Sequence, residues 1–107
     1  MASQSANLAR EMERLGRNIR AWRKISGLTT LITAERAGVS RDTLRAIETG
    51  RSTSSENLLA VMRVVGILAA VVDASDPIAS DFGSRNLARA SVERVRSPRP
   101  TLRTEGE

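Results

Sequence analysis

The sequence predicts an all-α fold around one small aliphatic core. Two observations carry that expectation. Of the 107 residues, 40% are hydrophobic but only 2% aromatic, so the core is drawn from Leu, Ile, Val, Ala and Met. A β-sandwich would favour more aromatic and β-branched residues. Apolar residues also recur three and four positions apart in segments that each close on a glycine, which is the helical period with a helical stop. The length suits one compact domain and a tail.

Taken in order, residues 1–7 are small and mostly polar and are expected to be disordered up to a helix that begins near Asn7. In that helix Leu8, Met12, Leu15, Ile19 and Trp22 share one face, and Gly27 ends it. Its place in this stripe assigns Trp22 to the core rather than to stacking on a ligand. The other face carries Arg10, Arg14, Arg17, Arg20, Arg23 and Lys24, mixed with Glu11 and Glu13, and reads as a solvated surface. Thr29 or Thr30 caps a second, shorter helix that runs to about Ala37, and Gly38 can take the left-handed conformation that closes it. Ser40 caps a third helix, from Arg41 to about Thr49, with Leu44 and Ile47 inward and Gly50 as its stop.

Residues 52–55 form a polar loop whose serines cap a fourth helix, residues 56–65, with Leu58, Leu59, Met62 and Val65 inward. Gly66 interrupts the pattern, and the apolar residues 67–74 are expected to form a fifth helix. Asp76-Pro77 closes the folded part, because proline disfavours helix in the residue before it. The expected domain therefore covers residues 8–75. Residues 76–96 form a C-terminal extension, with a weak helical stretch over 86–95, and serve as a candidate dimer or partner segment. Residues 97–107 contain two prolines and no apolar periodicity and are expected to be a disordered tail.

Charge and composition narrow the function. The chain has no cysteine and no histidine, so it lacks a thiol nucleophile, an imidazole base and the soft metal ligands, and no metal, cofactor or enzymatic activity is expected. A catalytic role for Glu48 lacks a partner histidine or nearby carboxylate, and a structural hydrogen bond or ion pair is the better reading. The longest apolar run, residues 67–72, is far too short to span a bilayer, so no membrane partner is expected and the protein reads as cytoplasmic, nucleoid-associated if it binds DNA. The net charge is +5, with ten Lys or Arg against five Asp or Glu in residues 1–53 and seven of each in residues 54–107. A lopsided basic surface suits an anionic partner, with double-stranded DNA first.

The informative block is residues 28–51, two short helices around one glycine turn. Ala34 is small where the helices approach, Gly38 permits the turn, and Val39, Leu44 and Ile47 pin the second helix to the core. A recognition helix enters the major groove by its N-terminal end, so its first residues must hydrogen-bond base edges. Ser40, Arg41, Asp42 and Thr43 fit that need: Arg41 can grip guanine twice, Asp42 can accept from cytosine, and Thr43 can meet a thymine or a phosphate. Arg45, Thr49 and Arg51 suit phosphates, as do the hydroxyls and free N–H groups of Thr29 and Thr30 at a helix N-terminus.

These residues resemble the Cro/C1-type (XRE-type) helix-turn-helix family of phage repressors and their bacterial relatives. The matching run is Leu15-Gly16-Arg17-Asn18-Ile19-Arg20, Arg23-Lys24, Gly27-Leu28-Thr29, Ala34-Glu35, Gly38-Val39-Ser40 and Ile47-Glu48-Thr49-Gly50-Arg51, with no insertion. The resemblance implies a five-helix, lambda repressor-like bundle, a homodimer on a near-palindromic operator, and a transcriptional regulator that represses its own gene. It also implies base contacts from Thr30, Arg41, Asp42 and Ala46 and phosphate contacts from Thr29, Arg45, Thr49 and Arg51. Thr30 stands where the family often has glutamine, and Leu31-Ile32-Thr33 where it prefers two polar residues and a buried leucine. Either the second helix is rotated, or Leu31 and Ile32 are exposed.

Residues 76–83, Asp76-Pro77-Ile78-Ala79-Ser80-Asp81-Phe82-Gly83, with Arg94-Val95-Arg96 beyond, resemble the C-terminal extension of HipB-like antitoxins. That resemblance implies a HipA-like toxin kinase as partner. Phe82, the only phenylalanine, sits outside the expected core and either anchors a partner or a dimer interface or folds back on the bundle. Three classes follow: a DNA-binding regulator alone, a regulator that is also an antitoxin, and an interaction module without DNA binding.

Overall fold

The computed structural model describes the backbone of residues 2–90 and the side chains of residues 5–90. The regular elements are α1 (Ala2–Ile25), α2 (Thr30–Ala37), α3 (Arg41–Glu48), α4 (Ser55–Val64), α5 (Leu68–Ala74), a 3-10 turn (Pro77–Ala79) and α6 (Asp81–Arg85), with no strand among the described residues. The fold is all-α, as composition and periodicity predict. The chain divides into two compact units between Ala70 and Val71.

In the first unit, Ile19, Ala34, Leu44, Ile47, Val61, Met62 and Val65 form the buried core, and Leu15, Ala37, Val39, Leu58, Ile67 and Leu68 pack against it. It is aliphatic throughout. α1 lies against α3, and α2 lies against both α3 and α4. Two glycines set the closeness of α1 to the end of α3. A Cβ on Gly16 would sit 2.5 Å from the carbonyl oxygen of Ile47 and 2.8 Å from that of Glu48. A Cβ on Gly50, which has φ +82°, would sit 2.7 Å from the Cα of Glu13. α1 at Gly16 and the turn after α3 at Gly50 each present bare backbone to the other.

Several expectations are corrected here. α1 begins at Ala2, well before Asn7, because alanine and glutamine extend an existing helix cheaply once the nucleus has formed. Trp22 is not a core residue: it is 46% exposed, and Leu8 is exposed as well. The 4-3-4-3 spacing from Leu8 to Trp22 is a 3.5-residue repeat, which drifts around a straight helix by ~20° per heptad. The face that is in fact buried reads Leu15, Gly16, Ile19 and Arg23, so a charged residue takes the inward position at the end of the stripe. In α4 the fully buried side chain is Val61, whereas Leu59 faces out. Most α4 positions are apolar, so packing against α2 and α3, not the helix's own pattern, selects the inner face.

α2 is not rotated. Thr33 is fully buried and Leu31 is 49% exposed, with Ile32 half-buried. Thr33 stays in the inward position because its hydroxyl donates to the Thr29 carbonyl at 2.8 Å, which satisfies the buried polar group.

The second unit turns on two caps. Asp76 accepts from the Ile78 N–H at 3.0 Å, and Ser80 accepts from the Gly83 N–H at 3.0 Å. α6 packs on the 3-10 turn so closely that a Cβ on Gly83 would overlap the Pro77 carbonyl. Residues 76–83 thus form a capped corner. No residue from 71 to 90 is buried, and Val71, Val72, Ile78, Phe82 and Leu87 are exposed. Residues 87–90 are helical, as part of the expected stretch over 86–95. Residues 91–95, Arg94-Val95-Arg96 and the expected disordered tail lie outside the described residues.

Candidate nucleic-acid interface

α2, the turn at Gly38 and α3 make a helix-turn-helix whose hydrogen bonds are local. Thr29, not Thr30, is the N-cap of α2 and accepts from the Ile32 N–H at 3.1 Å. At the other end Gly38 has φ +71°, a conformation that costs a side-chain-bearing residue about 1–2 kcal/mol. The Val39 N–H returns to the Ala34 carbonyl at 3.0 Å, which turns the chain sharply into α3. Ser40 then caps α3, accepting from the Thr43 N–H at 3.0 Å while its hydroxyl donates to Thr43 Oγ1 at 3.0 Å.

Leu44, Ile47 and Glu48 point inward from α3, which leaves Arg41, Asp42, Arg45 and Thr49 exposed on its outer face. Those four residues line one cleft with Thr30 of α2 and with Arg17 and Arg20 of α1. Arg41, Asp42, Arg45, Arg17 and Thr30 make no side-chain hydrogen bond or ion pair among the described residues. Their donors and the one carboxylate are free for a ligand. The surface has the chemistry of a polyanion site that also carries one free acceptor carboxylate, Asp42.

Thr49 lines the cleft with its hydroxyl engaged, and the remaining expected contacts lie outside the cleft lining. Ser40 and Thr43 engage one another, so their hydroxyls hold the start of α3 in shape. Thr49 donates to the Arg45 carbonyl at 2.8 Å and accepts from Arg51 Nε at 3.3 Å. Ala46 is half-buried, and Arg51 is exposed past the end of α3, outside the cleft. Thr29 is exposed and has its acceptor engaged in the cap.

Beneath the cleft lies a polar clasp. Arg23, 6% exposed, donates from Nε to Glu48 Oε2 at 2.6 Å and from Nη2 to Oε1 at 3.2 Å, and Glu48 is 8% exposed. The remaining Nη1 donates to the Leu28 carbonyl at 3.0 Å. One planar guanidinium thereby joins α1, α3 and the loop that leads to the Thr29 cap, a three-way fork that suits arginine. The expected ion pair at Glu48 is present. By polarity its partner Arg23 belongs to the solvated face, and the signal that locates it is spacing: Arg23 follows the buried Ile19 by four, and Glu48 follows the buried Leu44 by four. Arg20 Nε stands 3.9 Å from Glu48 Oε1, so it reaches the same carboxylate only at long range.

Compared with known proteins, residues 14–75, more than half of the chain, match a family model described as a helix-turn-helix domain. No curated protein and no solved structure matches the chain. No single helix among the described residues is long and apolar enough to cross a membrane.

Proposed function

Because the chain belongs to the helix-turn-helix domain family, we propose that this DNA-binding regulator is a Cro/C1-type (XRE-type) autorepressor that reads operator DNA through α3. The observation that carries this reading is the cleft, where Arg41, Asp42, Arg45 and Thr30 stand exposed and unpaired on one face. An exposed guanidinium at the first position of α3 suits the two acceptors on a guanine edge, and Asp42 beside it suits a cytosine amino group. Arg45, Arg51 and Thr29 suit phosphates on either side of the groove that α3 enters. Ser40 and Thr43 act by shaping the N-terminus of α3, and Thr30 and Ala46 add the smaller base contacts. A single recognition helix reads few base pairs, so the reading includes a homodimer on two half-sites.

The deciding experiment measures binding to labelled DNA from upstream of the chain's own gene and to a scrambled duplex of equal length across a salt series. A complex tighter than the scrambled control by at least ~10³-fold near physiological salt supports the proposal. Equal binding of the two duplexes that vanishes as salt rises refutes sequence-specific regulation.

A second reading, an antitoxin that also neutralises a HipA-like toxin kinase, draws on the exposed Ile78 and Phe82 of the capped corner. Its test is co-expression with a kinase-like neighbouring reading frame. Rescue of growth by the chain, lost in Phe82→Ala, supports the reading, and no rescue refutes it.

A further inference from the structure

We propose that Arg17 and Arg20 of α1 form a second wall of the DNA interface and bind phosphates at the rim of the groove that α3 enters. This rests on the preceding reading of the cleft as a DNA site. The two residues are three apart, which puts them on one face of α1, and both are exposed. They line the same cleft as Arg41 and Arg45, a depression of about 630 Å³.

Five arginines line the cleft, and apart from Arg23, which Glu48 neutralises, the four guanidinium groups of Arg17, Arg20, Arg41 and Arg45 repel one another unless an anion lies among them. The carboxylates in the lining are Asp42 and Glu48. Glu48 is committed to Arg23 through two hydrogen bonds, and its 3.9 Å approach to Arg20 is too long for a third. Asp42 alone cannot balance four cations, so the charge balance calls for a ligand with several negative groups. A major groove ~12 Å wide, flanked by phosphates on both sides, provides them when α3 lies in it. Arg20 keeps its donors available, since more than half of that side chain stays accessible. The arginines of α1 are therefore of two kinds: Arg17 and Arg20 border the cleft, and Arg10 and Arg14 on the same helix do not.

The test compares Arg17→Ala/Arg20→Ala with Arg10→Ala/Arg14→Ala, each removing two charges from α1, on operator and scrambled duplexes over a salt series. Each phosphate contact contributes about 0.9 to the slope of log K against log salt. The cleft variant should lose about 1.8 from that slope on both duplexes, with the operator-to-scrambled ratio unchanged. The Arg10→Ala/Arg14→Ala slope should match the unaltered protein. Arg17→Ala alone, whose side chain has no partner to lose, should remove about 0.9 and guards against a folding defect in the double variant. Equal slopes for the two double variants overturn the proposal. Because the scrambled duplex reports phosphate contacts alone, this result stands apart from the specificity test. A protein that fails to prefer its operator but shows the slope loss refutes the operator reading and keeps the α1 wall.

Discussion

Replacing Gly16 with alanine tests how α1 seats α3, because two opposed effects act on one methyl group. In an open helix the change stabilises, since alanine exceeds glycine in helix propensity by about 0.8–1.0 kcal/mol. In this structure the new Cβ lies 2.5 Å from the Ile47 oxygen, 2.8 Å from the Glu48 oxygen and 2.9 Å from the Glu48 carbonyl carbon. Ordinary carbon-to-oxygen contacts begin near ~3.3 Å, so α1 and the end of α3 must separate by roughly 0.8 Å. All three atoms are backbone, so no side chain can swing aside. Overpacking of this kind costs about 1–3 kcal/mol, and a rigid neighbour places it at the upper end.

The net expectation is a loss of about 1–2 kcal/mol, seen as a fall in Tm of roughly 4–16 °C by far-ultraviolet circular dichroism. The displaced residues include Glu48, so the Arg23 clasp lengthens and the outer face of α3 shifts with it. DNA affinity measured well below both melting temperatures should fall as well. A Tm equal to or above that of the unaltered protein refutes the close packing and leaves propensity as the only effect of the methyl group.

Removing one partner of the clasp, by Arg23→Ala or Glu48→Ala, should destabilise by about 3–5 kcal/mol in denaturant unfolding, because the other charge is left buried. Exchange of both for apolar residues of similar volume, Arg23→Met with Glu48→Leu, should recover most of that loss, and failure to recover it would sink the ion-pair account. Arg41→Ala should flatten base preference, whereas Arg51→Ala should weaken operator and scrambled duplexes alike and lower the salt slope by about 0.9; equal effects of the two changes in a binding-site selection assay contradict the separation of roles. Ser40→Ala removes the α3 cap and should cost about 1 kcal/mol, whereas Ser40→Asp should retain most of it, both read by thermal unfolding.

The helix-turn-helix was legible in the sequence because its signals are local. A threonine and a serine that cap, a glycine that turns, and Leu44 and Ile47 three apart depend on residues within a few positions of one another. The candidate site was legible for the same reason, since Arg41, Asp42 and Arg45 follow from the cap at Ser40 and the inward Leu44. What hydrophobicity alone left open at α2 was settled by one side-chain hydrogen bond. At positions 31 to 33 the apolar side chains point one way by hydrophobicity and another by register, and register prevails because the Thr33 hydroxyl finds the Thr29 carbonyl inside the helix.

Arg23 and Trp22 show where polarity fails as a guide to burial. Hydrophobicity ranks the tryptophan inside and the arginine outside, yet the geometry of α1 places position 23, four beyond Ile19, over α3 and position 22 at the edge. An arginine can occupy that inward position only if a carboxylate arrives from elsewhere in the chain, and Glu48 is 25 residues away. The pair is no stability device by itself, because apolar residues of equal volume serve a core as well or better. Its distinctive feature is the third bond, from Nη1 to the Leu28 carbonyl, which an apolar pair cannot make. That bond fixes the chain immediately before the Thr29 cap relative to α3. The N-terminus of α2 and the outer face of α3 are therefore held at a set spacing, as two elements must be if both are to meet one DNA backbone and groove.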